Sequence, residues 1–215
     1  MRPKRMIWDF NGTIVDDQKL CFEIENFMLR ERNMKEIPDL ETYLDTFSFP
    51  IQAYYKRLGY DLVTESFESL ADEYFKLYTE GFLTCPVREG VLETLERIHS
   101  LGIPQTMLSA TSQTRLEEQV RHLKIDSYFE TVLGLPDDYA FSKVQRGLDY
   151  IRSSGISPEE ALFLGDTDHD CEAAQAMGCR CVLITGGHQS KRVLEGCGVP
   201  VVESFDAFWE RYFCE

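Results

Sequence analysis

The sequence predicts an α/β protein: a doubly wound parallel sheet carrying an inserted block of helices. Three observations predict it. From about residue 86 onward, apolar segments of strand length alternate with segments of helical period, and such alternation implies parallel strands joined by right-handed crossovers. Near the start, the short apolar run MIWD (residues 6–9) ends in a carboxylate followed by an Asn-Gly-Thr turn, as a first strand would. Between these regions, residues 15–84 carry helical periodicity and few β signals.

The elements follow in order. DQKLCFEIENFMLRERN places Leu20, Ile24, Phe27 and Met28 on one helical face, and DLETYLDTF and PIQAYYKRLGY also have helical tendency. TESFESLADEYFKLY repeats the period through Phe67, Leu70, Tyr74 and Leu77. VREGVLETLERIHSLG is a helix through Val91, Leu95, Ile98 and Leu101 that stops at Gly102. IPQTMLS reads as a strand, SQTRLEEQVRHL as a helix through Leu116, Val120 and Leu123, and TVLG as the next strand. SKVQRGLDYIRSSG is a helix, ALFLGD a strand, DCEAAQAMG a helix of small residues, and CRCVLIT and PVVES are strands. SFDAFWERYF opens on a capping serine and closes the chain as a helix. The expected division is an α/β core of residues 1–14 and 85–215 with a helical domain of residues 15–84, hinged at Ile14–Asp17 and Phe82–Arg88. An insertion at that point sits over the carboxyl ends of the strands, where open α/β sheets bind ligands.

With 215 residues, 43% of them hydrophobic, the chain can bury a substantial core. Its net charge of −15 argues against non-specific binding to nucleic acid or anionic membrane. The basic start MRPKRMIWDF has too short an apolar run for a signal peptide, and no stretch approaches the length of a membrane span. The seven cysteines are odd in number and form no CxxC pair, so they read as reduced thiols, with Cys179 and Cys181 on one face of a strand. A cytoplasmic monomer or homodimer is expected.

The chemistry gathers at the predicted strand ends. Asp9 ends the first strand, and ALFLGD ends another at Asp166, with Asp170 four residues on. In a parallel sheet these carboxylates emerge at one edge and repel one another unless a cation joins them. The candidate ligands are all oxygens, which favours Mg²⁺ over zinc. TMLS puts Ser109 at a third strand end, with Ala110 and Thr111 leading into a helix whose amides suit a phosphate oxygen. Lys143 opens another helix, where its charge is ill placed for the helix dipole and well placed for an anion. Taken alone, Ser109 and Thr111 read as helix caps and Lys143 as a solvated lysine.

Their order is more specific than any one of them. DFNGT (Asp9 to Thr13), a helical insertion, SAT (Ser109 to Thr111), Lys143 and GDTDHD (Gly165 to Asp170) together resemble the haloacid dehalogenase superfamily. The likeness is to phosphoglycolate-phosphatase-like members with a helical cap, and it spans essentially the whole chain. It implies a Rossmann-like core and a Mg²⁺-dependent phosphohydrolase acting on a small phosphorylated metabolite. It further implies that Asp9 is the nucleophile, forming an aspartyl-phosphate. Mg²⁺ would be held by Asp9, the main-chain carbonyl of Asn11, Asp166 and Asp170. Ser109, Ala110, Thr111, the Gly12-Thr13 turn and Lys143 would hold the phosphoryl group.

Position 11 departs from the pattern. The phosphatases carry a second Asp there, a general acid and base, and Asn11 transfers no proton at neutral pH. Four readings stand. The first is a phosphatase suited to good leaving groups or supplied with a substitute acid, for which Asp16, Asp17 and His169 are the nearby candidates. The second is other hydrolytic chemistry of the superfamily. Phosphonate hydrolysis would use a lysine of the insertion, with Lys19, Lys56 and Lys76 available, whereas dehalogenases need no Mg²⁺ and leave the GDTDHD acids without a purpose. The third is a weakened enzyme that keeps an anion-binding or interaction role, and the fourth an introduced substitution at position 11. Within the insertion, SFPIQAYYKRLGY reads either as a loop presenting Lys56 and Arg57 to a phosphorylated ligand or as a helix packing Tyr54 or Tyr55.

Overall fold

The computed structural model describes residues 2–136 and 142–214. Six parallel strands form one sheet in the order β3-β2-β1-β4-β5-β6. They are β1 (Arg5–Trp8), β2 (Gln105–Ser112), β3 (Thr131–Leu135), β4 (Ala161–Gly165), β5 (Arg180–Ile184) and the two-residue edge strand β6 (Val201–Val202). The chain builds outward from β1 to one side through β2 and β3, then returns to build the other side from β4. The strand order therefore reverses between β1 and β4, which opens a crevice at their carboxyl ends.

Alternation along β1 explains the two layers. Met6 and Trp8 point into one core and Ile7 into the other, all fully buried. Five helices separate β1 from β2, the first four being α1 (Gln18–Glu31), α2 (Leu40–Thr46), α3 (Ile51–Leu58) and α4 (Phe67–Phe82). The Trp8 side of the sheet is covered by α5 (Val91–Ser100), α6 (Gln113–His122) and α10 (Phe205–Phe213), through Leu95, Ile98, Leu116 and Phe208. The Ile7 side is covered by α7 (Val144–Ser154), α8 (Asp168–Met177) and α9 (Lys191–Glu195), through Ile151, Ala173, Ala174 and Leu194. Cys179 and Cys181 both join this second core, as their spacing predicts, and all seven cysteines are free. The indole of Trp8 stacks on Phe205 at 6.2 Å and donates to Gln105 Oε1 at 3.1 Å, which satisfies the polar end of a large buried ring.

The two segments joining the insertion to the sheet run side by side. Val15 bridges Val87 in antiparallel fashion, Asp16 N–H donates to the Pro86 carbonyl at 2.9 Å, and Arg88 N–H to that of Ile14 at 2.9 Å. Beyond them α1 packs against α4. Asp39 caps α2 by accepting from Thr42 N–H at 2.7 Å, and Ser66 caps α4 by accepting from Ser69 N–H at 3.2 Å. Of the two readings of SFPIQAYYKRLGY, the helix is the one seen: Tyr54 and Tyr55 are buried, while Lys56 and Arg57 face solvent.

One boundary moves. The strand read as ending at Ser109 continues to Ser112, and its register against β3 shifts between Leu108 and Ser112. That irregularity lifts residues 109–111 out of regular pairing at the sheet's carboxyl edge. Among the described residues, no helix is long and apolar enough to cross a membrane.

Candidate active site

The crevice between β1 and β4 collects the residues that the sequence scatters. Asp9 follows β1, its N–H bonded to the Leu164 carbonyl at 2.9 Å, so it lies level with the end of β4 and with Asp166 just beyond. Asp170 stands in the first turn of α8. Its Oδ2 accepts the N–H groups of Asp166 (3.0 Å) and Thr167 (2.8 Å) and the Thr167 hydroxyl (2.7 Å), so the helix cap fixes the carboxylate. Oxygens of Asp9, Asp166 and Asp170 lie within 4.8 Å of one another, all buried.

Lys143 is the counterion. It stands at the start of α7, is 3% exposed, and pairs with both Asp9 Oδ1 and Asp170 Oδ1. It is therefore no solvated lysine. Burial works against its charge, but Asp170 and Asp9 outweigh burial and hold the ammonium above its ordinary range. Burial pushes Asp9 well up; Lys143 opposes this, and Asp170 and Asp166 add to it. Burial likewise raises Asp166, against the pull of His188. Asp170 is lowered, because Lys143 outweighs its burial.

Three buried carboxylates around one ammonium leave an excess of negative charge that a divalent cation would neutralise. The donor set, hard oxygens throughout, suits Mg²⁺. The surrounding backbone is stripped to make room. A Cβ on Gly12, whose φ is +70°, would come within 2.3 Å of Asp166 Oδ2, and one on Gly187 within 2.2 Å of the same atom. The Thr13 hydroxyl donates to Asp166 Oδ1 at 2.7 Å, and His188 N–H donates to Oδ2 at 2.6 Å, so Asp166 is gripped from two loops.

Ser109, Ala110 and Thr111 line the same cavity as Asp9 and Lys143. Ser109 Oγ accepts the Thr111 N–H at 3.1 Å, and Ser112, rather than Ser109 or Thr111, occupies the N-cap position of α6. Gly12 and Thr13 stand one step back: Gly12 N–H donates to Asp17 Oδ1 at 2.9 Å, and Thr13 supports Asp166.

Asn11 is held on every side. Its Oδ1 accepts the Thr111 hydroxyl at 2.9 Å, and its Nδ2 donates to Asp17 Oδ2 at 2.8 Å and to the Tyr78 hydroxyl at 2.7 Å. Asp17 also receives the Tyr78 hydroxyl at 2.6 Å and faces His188 Nε2 at 3.1 Å. Burial raises the Asp17 pKa, but His188 and these hydrogen bonds more than reverse it. Burial opposes protonation of His188, yet Asp17 outweighs it and lifts the imidazole to about 9. The pair is thus an ion pair at neutral pH, and the remaining ring nitrogen, Nδ1, lies 3.1 Å from the Tyr43 hydroxyl.

Of the three acids proposed as substitutes from sequence, Asp16 is exposed, Asp17 is ionised, and His169 is neutral, pushed down to about 4 by burial and by Lys143. His169 stacks on Phe49 at 4.4 Å and meets Ser142 Oγ at 3.1 Å. Lys19, Lys56 and Lys76 are exposed and do not line the cavity. His188, Tyr78 and Tyr43 were not found from sequence. A signal existed for His188 alone: TGGHQS begins as β5 ends, and a glycine pair at a strand's carboxyl end marks a ligand loop as Gly12 does.

A family model for haloacid dehalogenase-like hydrolases matches residues 6–184, from β1 to the end of β5. The chain belongs to this family. A phosphoglycolate phosphatase of Aquifex aeolicus is 25% identical over 85% of this chain and 85% of its own length. A 5'-nucleotidase of Pseudomonas aeruginosa is 25% identical over 89% of this chain and 86% of its own length. Among solved structures, a haloacid dehalogenase-like hydrolase from Streptococcus pneumoniae superposes with a TM-score of 0.80 at 18% identity, covering 97% of each chain. Where the resemblance leads to the expectation of a second carboxylate, position 11 of this chain carries an amide. Asn11 meets Asp17 with a hydrogen bond, where an ionised acid would meet it with like charge.

Proposed function

We propose that this hydrolase is a Mg²⁺-dependent phosphatase of small phosphorylated metabolites. The observation that carries the reading is Asp9: a buried carboxylate at the switch point of the sheet, clasped by Lys143 and flanked by Asp166 and Asp170. Phosphatases and a 5'-nucleotidase among its relatives support the same class.

Asp9 attacks phosphorus and carries the phosphoryl group as an acyl phosphate until water displaces it, which splits one hard displacement into two easier ones. Lys143 favours the ionised form of Asp9 against its burial and keeps it in place, and together with Ser109 and the amides of Ala110 and Thr111 it steadies the phosphoryl oxygens. Asp9, the Asn11 carbonyl, Asp166 and Asp170 would hold Mg²⁺, which when bound neutralises charge on the transferring group. Asn11 orients its neighbours but gives no proton, so the leaving oxygen departs best when it is already a weak base. Gly12 and Thr13 shape the loop that carries Asp9 and brace Asp166.

Residues 15–84 act as a cap over residues 1–14 and 85–215, turning on the paired segments at Val15 and Val87 and excluding water during transfer. The protein works in the cytoplasm, in keeping with its free thiols, as a monomer or homodimer. The test is phosphate release from aryl and alkyl phosphates with and without Mg²⁺. Metal-dependent release abolished in Asp9→Asn is expected. Release that survives this substitution, or none from any ester, would overturn the reading.

A further inference from the structure

The cavity that reaches Asp9 and Lys143 is also lined by Glu25 of α1. Glu25 is 4% exposed, and its Oε2 has no hydrogen-bond partner among the described residues. Its other interactions are modest: the Tyr55 hydroxyl bonds to the carboxyl, and Tyr55, Phe67, Ala71 and Tyr74 line the cavity with it. A carboxyl oxygen left unpartnered in such surroundings is costly to keep, because a buried polar atom without a partner loses its hydration. A partner that arrives with a ligand would repay that cost.

Charge and size say what the ligand is. Among the lining residues the basic groups are Lys143, His169 and His188, all from outside the four inserted helices. A leaving group with its own carboxylate would find no cation beside the inserted helices. The cavity measures about 150 Å³ and its walls are largely aromatic. An apolar cavity of ~150 Å³ accepts a benzene-sized ring, and because this volume also takes in the phosphoryl end lined by Asp9, Ser109 and Lys143, one ring is the upper limit for the leaving group.

We infer that the alcohol released from the substrate is a flat, one-ring apolar group bearing a nitrogen that donates a hydrogen bond to Glu25. The inference rests on the phosphatase reading for the phosphoryl end, while the geometry around Glu25 decides the other end. Glu25 is then a specificity residue that acts on the group that leaves and takes no part in the phosphoryl transfer.

The test compares phosphate release by the Mg²⁺-loaded enzyme from tyramine O-phosphate, phenyl phosphate and phosphoglycolate. The amine-bearing ester is expected to exceed phenyl phosphate in kcat/KM by about tenfold, the size of one charge-assisted hydrogen bond. Glu25→Gln should collapse that ratio, chiefly through KM. A wild-type ratio near one, a ratio unchanged in Glu25→Gln, or phosphoglycolate as the best substrate would overturn the inference. If no ester is hydrolysed, the phosphatase reading fails by itself, and calorimetry with tyramine, phenol and glycolate still decides the pocket. Tyramine binding weakened in Glu25→Gln upholds the role of Glu25; no preference for tyramine, or one indifferent to the substitution, ends it. Melting curves for both proteins establish that the variant is folded.

Discussion

At position 11 a single atom type sets the chemistry. An amide accepts from Thr111 and donates to Asp17 and Tyr78 at once. A carboxylate accepts but cannot donate, and would sit against Asp17 as a like charge. One of two such acids holds its proton to a higher pH. Asn11→Asp is therefore expected to accelerate alkyl phosphates by up to ~10²-fold and aryl phosphates less, since general acid catalysis contributes ~10²–10⁴-fold. Equal gains on both ester types, or none, would show that proton transfer does not limit the rate. Gly187 makes a second prediction. Its added Cβ would press on Asp166 Oδ2, so Gly187→Ala should weaken Mg²⁺ binding about 10–100-fold, as loss of support around a ligand does. Calorimetric titration with Mg²⁺ reads this without turnover, and unchanged affinity would remove Asp166 from the proposed metal site. The Asp9, Asp166 and Asp170 group was legible in the sequence because each acid marks a strand end or the helix that follows. His188 was not, because its partner Asp17 lies 171 positions away.

Among the elements, β1 and β4 were readable because buried parallel strands are short continuous apolar runs. The extension of β2 to Ser112 was not, since Ser-Ala-Thr-Ser has no apolar signal and is held by pairing that only the sheet supplies. PVVES yields only two paired residues, the ladder bonds at the sheet edge being few. α10 was visible from its serine and its aromatic period, but its purpose is tertiary: Phe208, fully buried, stands 6.3 Å from Trp8 and closes one face of β1. Phe208→Ala should cost ~3–5 kcal/mol in chemical denaturation, the usual price of removing a buried aromatic ring. A loss below ~1 kcal/mol would mean that α10 is dispensable to the core.

For the whole molecule, acidity and burial combine in the response to pH. Burial lifts Glu25 to about 8 from an ordinary 4.5, with the Tyr55 hydrogen bond opposing. A carboxyl whose folded pKa is raised binds its proton more tightly folded than unfolded. Stability from this group is therefore greatest below pH 4.5 and is lost as pH rises toward 8. The loss is bounded at ~5 kcal/mol. His188 extends the trend: its raised pKa gives stability that is complete below 6.5 and lost as pH passes about 9. Denaturant midpoints measured from pH 5 to pH 8 (about the span between the two Glu25 values) should fall for the metal-free protein, and Glu25→Gln should flatten the fall. A slope identical in the variant would show that Glu25 does not titrate in this range. Mg²⁺ should in addition raise the melting temperature, by linkage to the folded state alone, and a chelator should reverse the rise.

By itself the sequence determined the α/β class, the place of the helical insertion, the carboxylates at the strand ends and the lysine at a helix start. These depend on local periodicity and on the rule that parallel strands bring their carboxyl ends to one edge. Tertiary structure alone decided which groups touch. It turned Lys143 inward between Asp9 and Asp170, joined Asp17 to His188 beside Asn11, and left Glu25 buried in the cavity wall with one oxygen unpartnered among the described residues. Those relations are set by packing between segments far apart in the chain, and no periodicity within a segment encodes them.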